Sequence, residues 1–320
     1  MMTKSIALTA LFFAVSAAHA QSGAFRPTKP VTLIVPYSAG GGTDVVGRLF
    51  AKELGELWGK PVLVDNRIGA NGVIGTAVVA KAPADGTTLL LAVSSIVINP
   101  YVVPKLPYTT KTDFTPITPV AKPVSVLVSS PSLPASDLKS FIELAKARPG
   151  KYSIASSEPS TRLSGERIAK AAKIQLVQVP YKGAAQWMAD VAGNVVDTGF
   201  ASLTSALPMM QHKRLKILAI ASAERNTTLP DVPTFREVGI NDLDSKSWYG
   251  LFGPGGLPPN TVAAIYADVM KVLAKQEVKD RIRSLGAEPG GEDPAAFARR
   301  FHQELHEYDQ LTREAGMQVE

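Results

Sequence analysis

Cysteine is missing from all 320 residues. Its absence excludes thiol catalysis, thiolate metal sites and disulfides. Core size must then hold the chain together, and a chain of this length can build two lobes with real cores. Charge is sparse: 19% of residues are charged and the net charge is +6. The lysines and arginines are spread out, with no run of five, whereas nucleic-acid binding needs them gathered on one face. No nucleic-acid partner is expected. Only four histidines occur. His302 and His306 stand four apart beside Glu304 and Glu307, but the pattern is not H-E-x-x-H and no third ligand is evident, so they read as a solvated helix face and no metal is expected. The sequence contains no G-x-S-x-G elbow and no G-x-x-x-x-G-K-[ST] loop, and its one glycine run fails G-x-G-x-x-G because position 45 is Val. Without a nucleophile, base and orienter, an exported hydrolase is the weakest reading; neither an enzyme nor a cofactor is expected.

One apolar run does occur, at the N-terminus. Lys4 precedes an apolar stretch over 6–15, which ends in Ala18-His19-Ala20, an A-x-A cleavage signal. The stretch is too short to span a bilayer, so residues 1–20 are expected to be a signal peptide removed near Ala20. No other run is long enough to cross a membrane.

The rest alternates between two periods. Val31–Val35 is a short β-branched run of the kind a buried parallel strand needs. Val46, Leu49, Phe50, Leu54, Leu57 and Trp58 then recur at helical spacing, with Thr43 or Asp44 available as a cap. Strands are expected over 62–65 and Thr88–Val93, with a helix between them over 74–80. A second series starts at 124–128, with helices over 137–148 (capped by Ser136), 161–173 and 185–191. Strands fall between and after them, over 152–156, 176–179, 195–201 and 216–222. A loop-rich stretch covers 223–259, and helices fill the remainder apart from a break near 286–291. Repeated βαβ units imply mostly parallel sheets flanked by helices, an α/β class. Proline-rich segments at 115–123 and 229–233 mark boundaries. The expected division is lobe 1 over 21–123 plus 230–320, and lobe 2 over 124–229.

Two glycine-marked turns stand between a strand and a helix: Tyr37-Ser38-Ala39-Gly40-Gly41-Gly42-Thr43-Asp44, and Tyr181-Lys182-Gly183-Ala184. Such junctions present backbone N–H groups and a positive helix end. Each is either a tight turn with a capped helix or half of a cradle for a carboxylate, and three glycines in a row let a ligand approach the backbone closely. Open α/β sheets bind ligands at the carboxyl ends of strands. That rule adds Ser94 and Ser95, and Ser156 and Ser157, to the candidates.

These residues belong to a longer pattern: Pro36-Tyr37-x-x-Gly40-Gly41-x-Thr43-Asp44-x-x-x-Arg48, Asn66-Arg67-x-Gly69-Ala70-x-Gly72-x-x-Gly75, Ala84-Asp85-Gly86, Asp113-Phe114-Thr115-Pro116, Pro180-Tyr181-Lys182-Gly183, Leu229-Pro230-Asp231-Val232-Pro233-Thr234 and Trp248-x-Gly250. In this order the motifs resemble the periplasmic substrate-binding proteins of tripartite tricarboxylate transporters, also called Bug (Bordetella uptake gene) proteins. The resemblance implies a two-lobed Venus flytrap with the ligand cleft between lobes. It also implies a small carboxylate held between the turn at Tyr37 to Asp44 and the turn at Tyr181 to Ala184. The partners it implies are integral-membrane transporter subunits that dock transiently, with the receptor itself a monomer in the periplasm. A ligand sensor feeding a membrane signalling partner is the alternative on the same fold.

Two departures bear on the ligand. Arg162 stands where the family commonly has His, and Ala201, between the further candidates Phe200 and Ser202, where some relatives carry an acid. Arg162 either forks a second carboxylate or faces solvent. Loss of the acid at 201 favours a ligand without an amino group. A dicarboxylate or an aromatic acid is therefore the favoured ligand.

Overall fold

The computed structural model describes residues 25–157, 159–181, 183–226, 229–243 and 247–317. The expected signal peptide, Glu158 and Lys182 lie outside these described residues. Among them no helix is long and apolar enough to cross a membrane.

The chain begins with β1 (Val31–Val35), α1 (Gly42–Trp58), β2 (Val62–Asn66), α2 (Val73–Ala80), β3 (Thr88–Val93), a short α3 (Asn99–Val102) and β4 (Phe114–Pro123). A second series follows: β5 (Ser125–Ser129), α4 (Leu138–Ala147), β6 (Ser153–Ser156), α5 (Pro159–Ala172), β7 (Val177–Pro180), α6 (Ala184–Ala192), β8 (Thr198–Ser202), α7 (Leu203–Gln211) and β9 (Lys216–Ala221). The chain then returns through β10 (Tyr249–Pro254), α8 (Pro259–Ala274), α9 (Gln276–Ser284), β11 (Ala287–Pro289) and α10 (Pro294–Glu314). Two sheets result, in the orders β11-β4-β10-β3-β1-β2 and β7-β6-β8-β5-β9.

Each sheet is packed on both faces. Along β1, Leu33 faces a core with Val46, Phe50 and Trp58 of α1 and with Ile265 and Val269 of α8. Its neighbour Ile34 faces the other core, with Val79 of α2 and Phe297 and Phe301 of α10. Strand side chains alternate between faces, so burial on both sides explains the unbroken apolar run. In the second sheet Leu127, Ile154 and Leu218 pack with Phe141 of α4 and Ile168 of α5. Val126, Val128 and Ala155 face Trp187 of α6 and Leu203 of α7.

The structure departs from the sequence expectation in three places. The proline-rich 115–123 segment is strand β4, lying between β11 and β10. Pro116 and Pro119 fall opposite Phe252 and Gly250, where the register shifts twice; irregular pairing of this kind accommodates residues that cannot donate to the ladder. The second difference is β10 itself, which lies inside the expected loop. It runs antiparallel to both β3 and β4, just as β5 runs antiparallel to β8 and β9. In each sheet the reversed strand between parallel neighbours is the one whose chain has just crossed from the other sheet, and it enters from the opposite end. Third, Phe235, Ile240 and Leu243 pack in the second sheet's core, while Trp248 packs in the first's. The return crossing therefore lies between Leu243 and Trp248, later than the boundary expected at 229/230. A smaller correction concerns α4: its cap is Asp137, whose carboxylate accepts from the Ser140 N–H at 2.8 Å, and not Ser136.

Candidate ligand-binding cleft

A cleft of about 490 Å³ lies between the two sheets, within the usual range for small-molecule sites. Five helices, α1, α2, α5, α6 and α7, begin on it. Gly41 precedes α1, Gly72 precedes α2 and Gly183 precedes α6, and none of these starts has a side-chain cap among the described residues. All three glycines line the cleft. The cap expected from Thr43 or Asp44 is therefore not made. The first-turn N–H groups of a helix have no partner within the helix, and a glycine at the cap offers them no side-chain acceptor, although at α2 the Val73 N–H already donates to the Ala70 carbonyl. The Ser202 side chain, in contrast, caps α7 by accepting from the Ser205 N–H at 3.3 Å.

The loop before α1 is held by Asp44. Its carboxylate accepts from the Gly40 N–H at 2.8 Å, from Arg48 Nε at 3.0 Å and from Asn66 Nδ2 at 3.0 Å. Asn66 also donates to the Tyr37 carbonyl at 3.0 Å, tying the end of β2 to the loop after β1. Burial works to raise the Asp44 carboxyl pKa. The hydrogen bonds from Arg48, Gly40 and Asn66, with the Arg48 charge, outweigh burial and hold it below its ordinary value. Gly40 sits at φ 79°, a left-handed conformation that only glycine adopts freely. The second turn is braced in a similar way: Tyr181 Oη donates to Asp190 Oδ2 of α6 at 2.7 Å. Burial first, then that hydrogen bond and the Asp190 charge, push the Tyr181 pKa up to about 12.

Of the sequence candidates, Tyr37, Ser38, Ala39, Gly41, Gly42, Thr43, Ser94, Ser157, Gly183, Ala184, Phe200 and Ser202 line the cleft together. Asp44, Ser95, Ser156 and Tyr181 are not among the lining residues. Asp44 and Tyr181 instead brace the two turns. Ser95, fully buried, meets Ser160 Oγ at 2.8 Å across the two lobes. Ser156 accepts through its carbonyl from the Tyr181 N–H. Arg162 is exposed and does not line the cleft, because the start of α5 presents Ser160 and Thr161 to it instead. Sequence reasoning missed Asn71 and Gly72, Thr204 and Ser205, Trp187, Tyr249 and Arg281, all of which line the cleft. Asn71 and Gly72 follow the carboxyl end of β2, so the strand-end rule could have found them. A wider hollow of about 720 Å³ lies on the outer face between α1 and β2, away from the convergent helix starts.

The profile of one family, TctC, the tripartite tricarboxylate transporter family receptor, matches residues 46–317. The chain belongs to this family. Among solved TctC-like structures, Rpa4515 of R. palustris with adipate is 32% identical, with a TM-score of 0.86 over 91% of this chain and 98% of that one. The periplasmic binding protein BugD is 30% identical, with a TM-score of 0.84 over 92% of this chain and 100% of that one. MatC from Rhodopseudomonas palustris with bound malate is 28% identical, with a TM-score of 0.79 over 89% of this chain and 99% of that one. The two-lobed TctC fold is thus shared, and this TctC chain is a solute-binding protein, not an enzyme.

Proposed function

We propose that this protein is exported to the periplasm, where it captures a small organic carboxylate, a dicarboxylate or an aromatic acid, as a monomer. It then delivers the acid to the membrane subunits of a tripartite tricarboxylate-type transporter. One observation carries the reading: three helix starts without side-chain caps, from both lobes, converge on a cleft whose described lining contains no carboxylate side chain. Helix N-termini favour an anion, and none of the described lining residues is an acid that could pair with an ammonium. Ala201 lines the cleft, in keeping with a ligand that lacks an amino group. The adipate and malate bound by the two R. palustris relatives are of the same chemical class.

In this reading the Tyr37 to Thr43 turn and the Gly183–Ala184 turn clasp one carboxylate, with Ser94, Ser157, Phe200 and Ser202 around the rest of the ligand. Lobe 2 swings about the crossings at Val124 and between Leu243 and Trp248, and closure forms the surface that docks on the membrane subunits. The test is a thermal-shift screen of mono-, di- and tricarboxylates, aromatic acids and amino acids. Stabilisation should grow with ligand excess over its dissociation constant. Absence of a shift with every acid, or shifts with amino acids only, would overturn the reading.

A further inference from the structure

The turn into α2 lies against the Tyr37 to Thr43 cradle. Asn71 and Gly72 line the cleft, and a β-carbon on Gly72 would stand 3.0 Å from Tyr37 Oη. Residues 70–73 form a β-turn: the Val73 N–H donates to the Ala70 carbonyl, with Asn71 at φ 55°, ψ 35° and Gly72 at φ 86°, ψ -4°. These angles are close to the roughly 60°, 30° and 90°, 0° of a type I′ turn, and Asn-Gly is the pair that turn prefers. Ala70 ahead of it is also left-handed, at φ 45°, a conformation that alanine keeps only where its surroundings hold it. Asn99, at the start of α3, holds the turn from behind. It is 1% exposed and does not line the cleft. Its Nδ2 donates at 3.3 Å to the Asn71 carbonyl, which belongs to the central peptide of the turn. Its Oδ1 is buried with no hydrogen-bond partner among the described residues. A buried polar atom left unpaired is costly, so packing alone would be better served by an apolar side chain. What the Asn99 amide supplies is a fixed direction for that peptide.

We infer that Asn99 is a positioning residue for the ligand's charge: by holding the Asn71 carbonyl toward the interior of lobe 1, it keeps that oxygen from facing the bound carboxylate. This rests on the carboxylate reading above and adds to it a residue that does not touch the ligand. Turning the central peptide over converts a type I′ turn into type II′ and carries its carbonyl to the side away from Asn99, which is the cleft side. Oriented backbone amides act as fixed partial charges, so the turned peptide would set a negative end against an anion. Asn71 is a second lock, because a II′ turn takes glycine at its first central position. A carboxamide ligand would not suffer from the turned peptide, since its N–H can donate to the carbonyl. A plain structural role for Asn99 would weaken acid and carboxamide alike.

The experiment is isothermal titration calorimetry on wild type, Asn99→Leu, Asn71→Gly and the double variant. The probes are benzoate, the straight-chain diacids from succinate to suberate, and the carboxamide of whichever binds tightest; each protein's ligand-free Tm is recorded alongside. Asn99→Leu should weaken the acid by at least about fivefold and the carboxamide by less than about twofold. In the double variant glycine admits the II′ turn, so its loss for the acid should exceed the product of the two single losses. Asn99→Ala also removes the donor and replaces Asn99→Leu if the leucine variant does not fold. An unchanged ratio of acid to carboxamide affinity in the Asn99 variant overturns the assignment, whether both are kept or both are lost equally. Losses that simply multiply in the double variant also overturn it, and either result leaves the carboxylate reading standing. If wild type binds no acid, that reading falls and this inference with it.

Discussion

Gly42→Ala tests whether the two lobes meet over the ligand as they do in this structure. Gly42 is the first residue of α1. A β-carbon placed there would stand 2.5 Å from Tyr249 Oη, 3.2 Å from Ser202 Oγ and 3.2 Å from Thr204 Cβ, all closer than ordinary van der Waals contact. Tyr249 belongs to the same sheet as β1, so its hydroxyl presses on the new methyl in any lobe arrangement. Ser202 and Thr204 come from the other lobe and press on it only when the lobes meet. Overpacking of this kind costs about 1–3 kcal/mol, which corresponds to a loss of about 5- to 150-fold in ligand affinity if it falls on the closed state. Folding bears only the Tyr249 share, eased because alanine is the better helix former and the atom met is the tip of a side chain and not backbone. Calorimetry and ligand-free melting on Gly42→Ala, Tyr249→Phe and the double variant separate the contributions. The double variant should recover the share owed to Tyr249 and retain the share owed to Ser202 and Thr204. Unchanged ligand affinity in Gly42→Ala would refute the reasoning, since the lobes would then not approach at α1.

Other perturbations probe the braces. Asp44→Ala removes the acceptor shared by Gly40, Arg48 and Asn66; a loss of about 1–3 kcal/mol in stability is expected, read as a lower denaturation midpoint with weaker ligand binding. The Asp44 pKa is depressed in the fold, so its contribution is present above the unfolded-state value of 3.8 and is lost as pH falls through the lower folded value. Wild type should therefore lose more stability than Asp44→Ala when acidified through that window, by denaturant titration at each pH. Ser95→Ala breaks the contact with Ser160 across the lobes; ligand affinity should drop by about 2- to 12-fold, with a smaller effect on the ligand-free Tm. Arg162→Ala should leave affinity for every acid unchanged, because the side chain is exposed and does not line the cleft.

What could be read in the sequence followed the reach of local signals. The Gly40 to Asp44 turn was legible because strand, glycine run and amphipathic helix are consecutive, and that arrangement alone places backbone donors at a strand end. The roles of Asp44 and Tyr181 were not legible: a carboxylate or a phenol next to a cradle reads as a ligand contact until its own partners, Arg48 with Asn66 and Asp190, are seen. Strands β4 and β10 were hidden by composition, since β4 carries Pro116, Pro119 and Pro123, and β10 carries Gly250 and Gly253. Their pairing supplies what their propensity lacks. Arg281 gave no signal, because its helix reads as an ordinary polar one. Only the return of the chain through β10 to the first sheet, followed by α8 and α9, brings that helix end to the cleft. Arg162 stands out in the sequence as a departure from the family's usual His, yet the turn of α5 that carries it presents Ser160 and Thr161 to the cleft.

The central claim is that the cleft recognises the negative charge of a carboxylate. It is tested most directly by calorimetry comparing the tightest-binding acid with its neutral amide, in which each carboxylate becomes a carboxamide of nearly the same size and shape. The account predicts that the acid binds at least about 100-fold more tightly than the amide. Equal binding of acid and amide would contradict it, because helix N-termini would then contribute nothing to the choice.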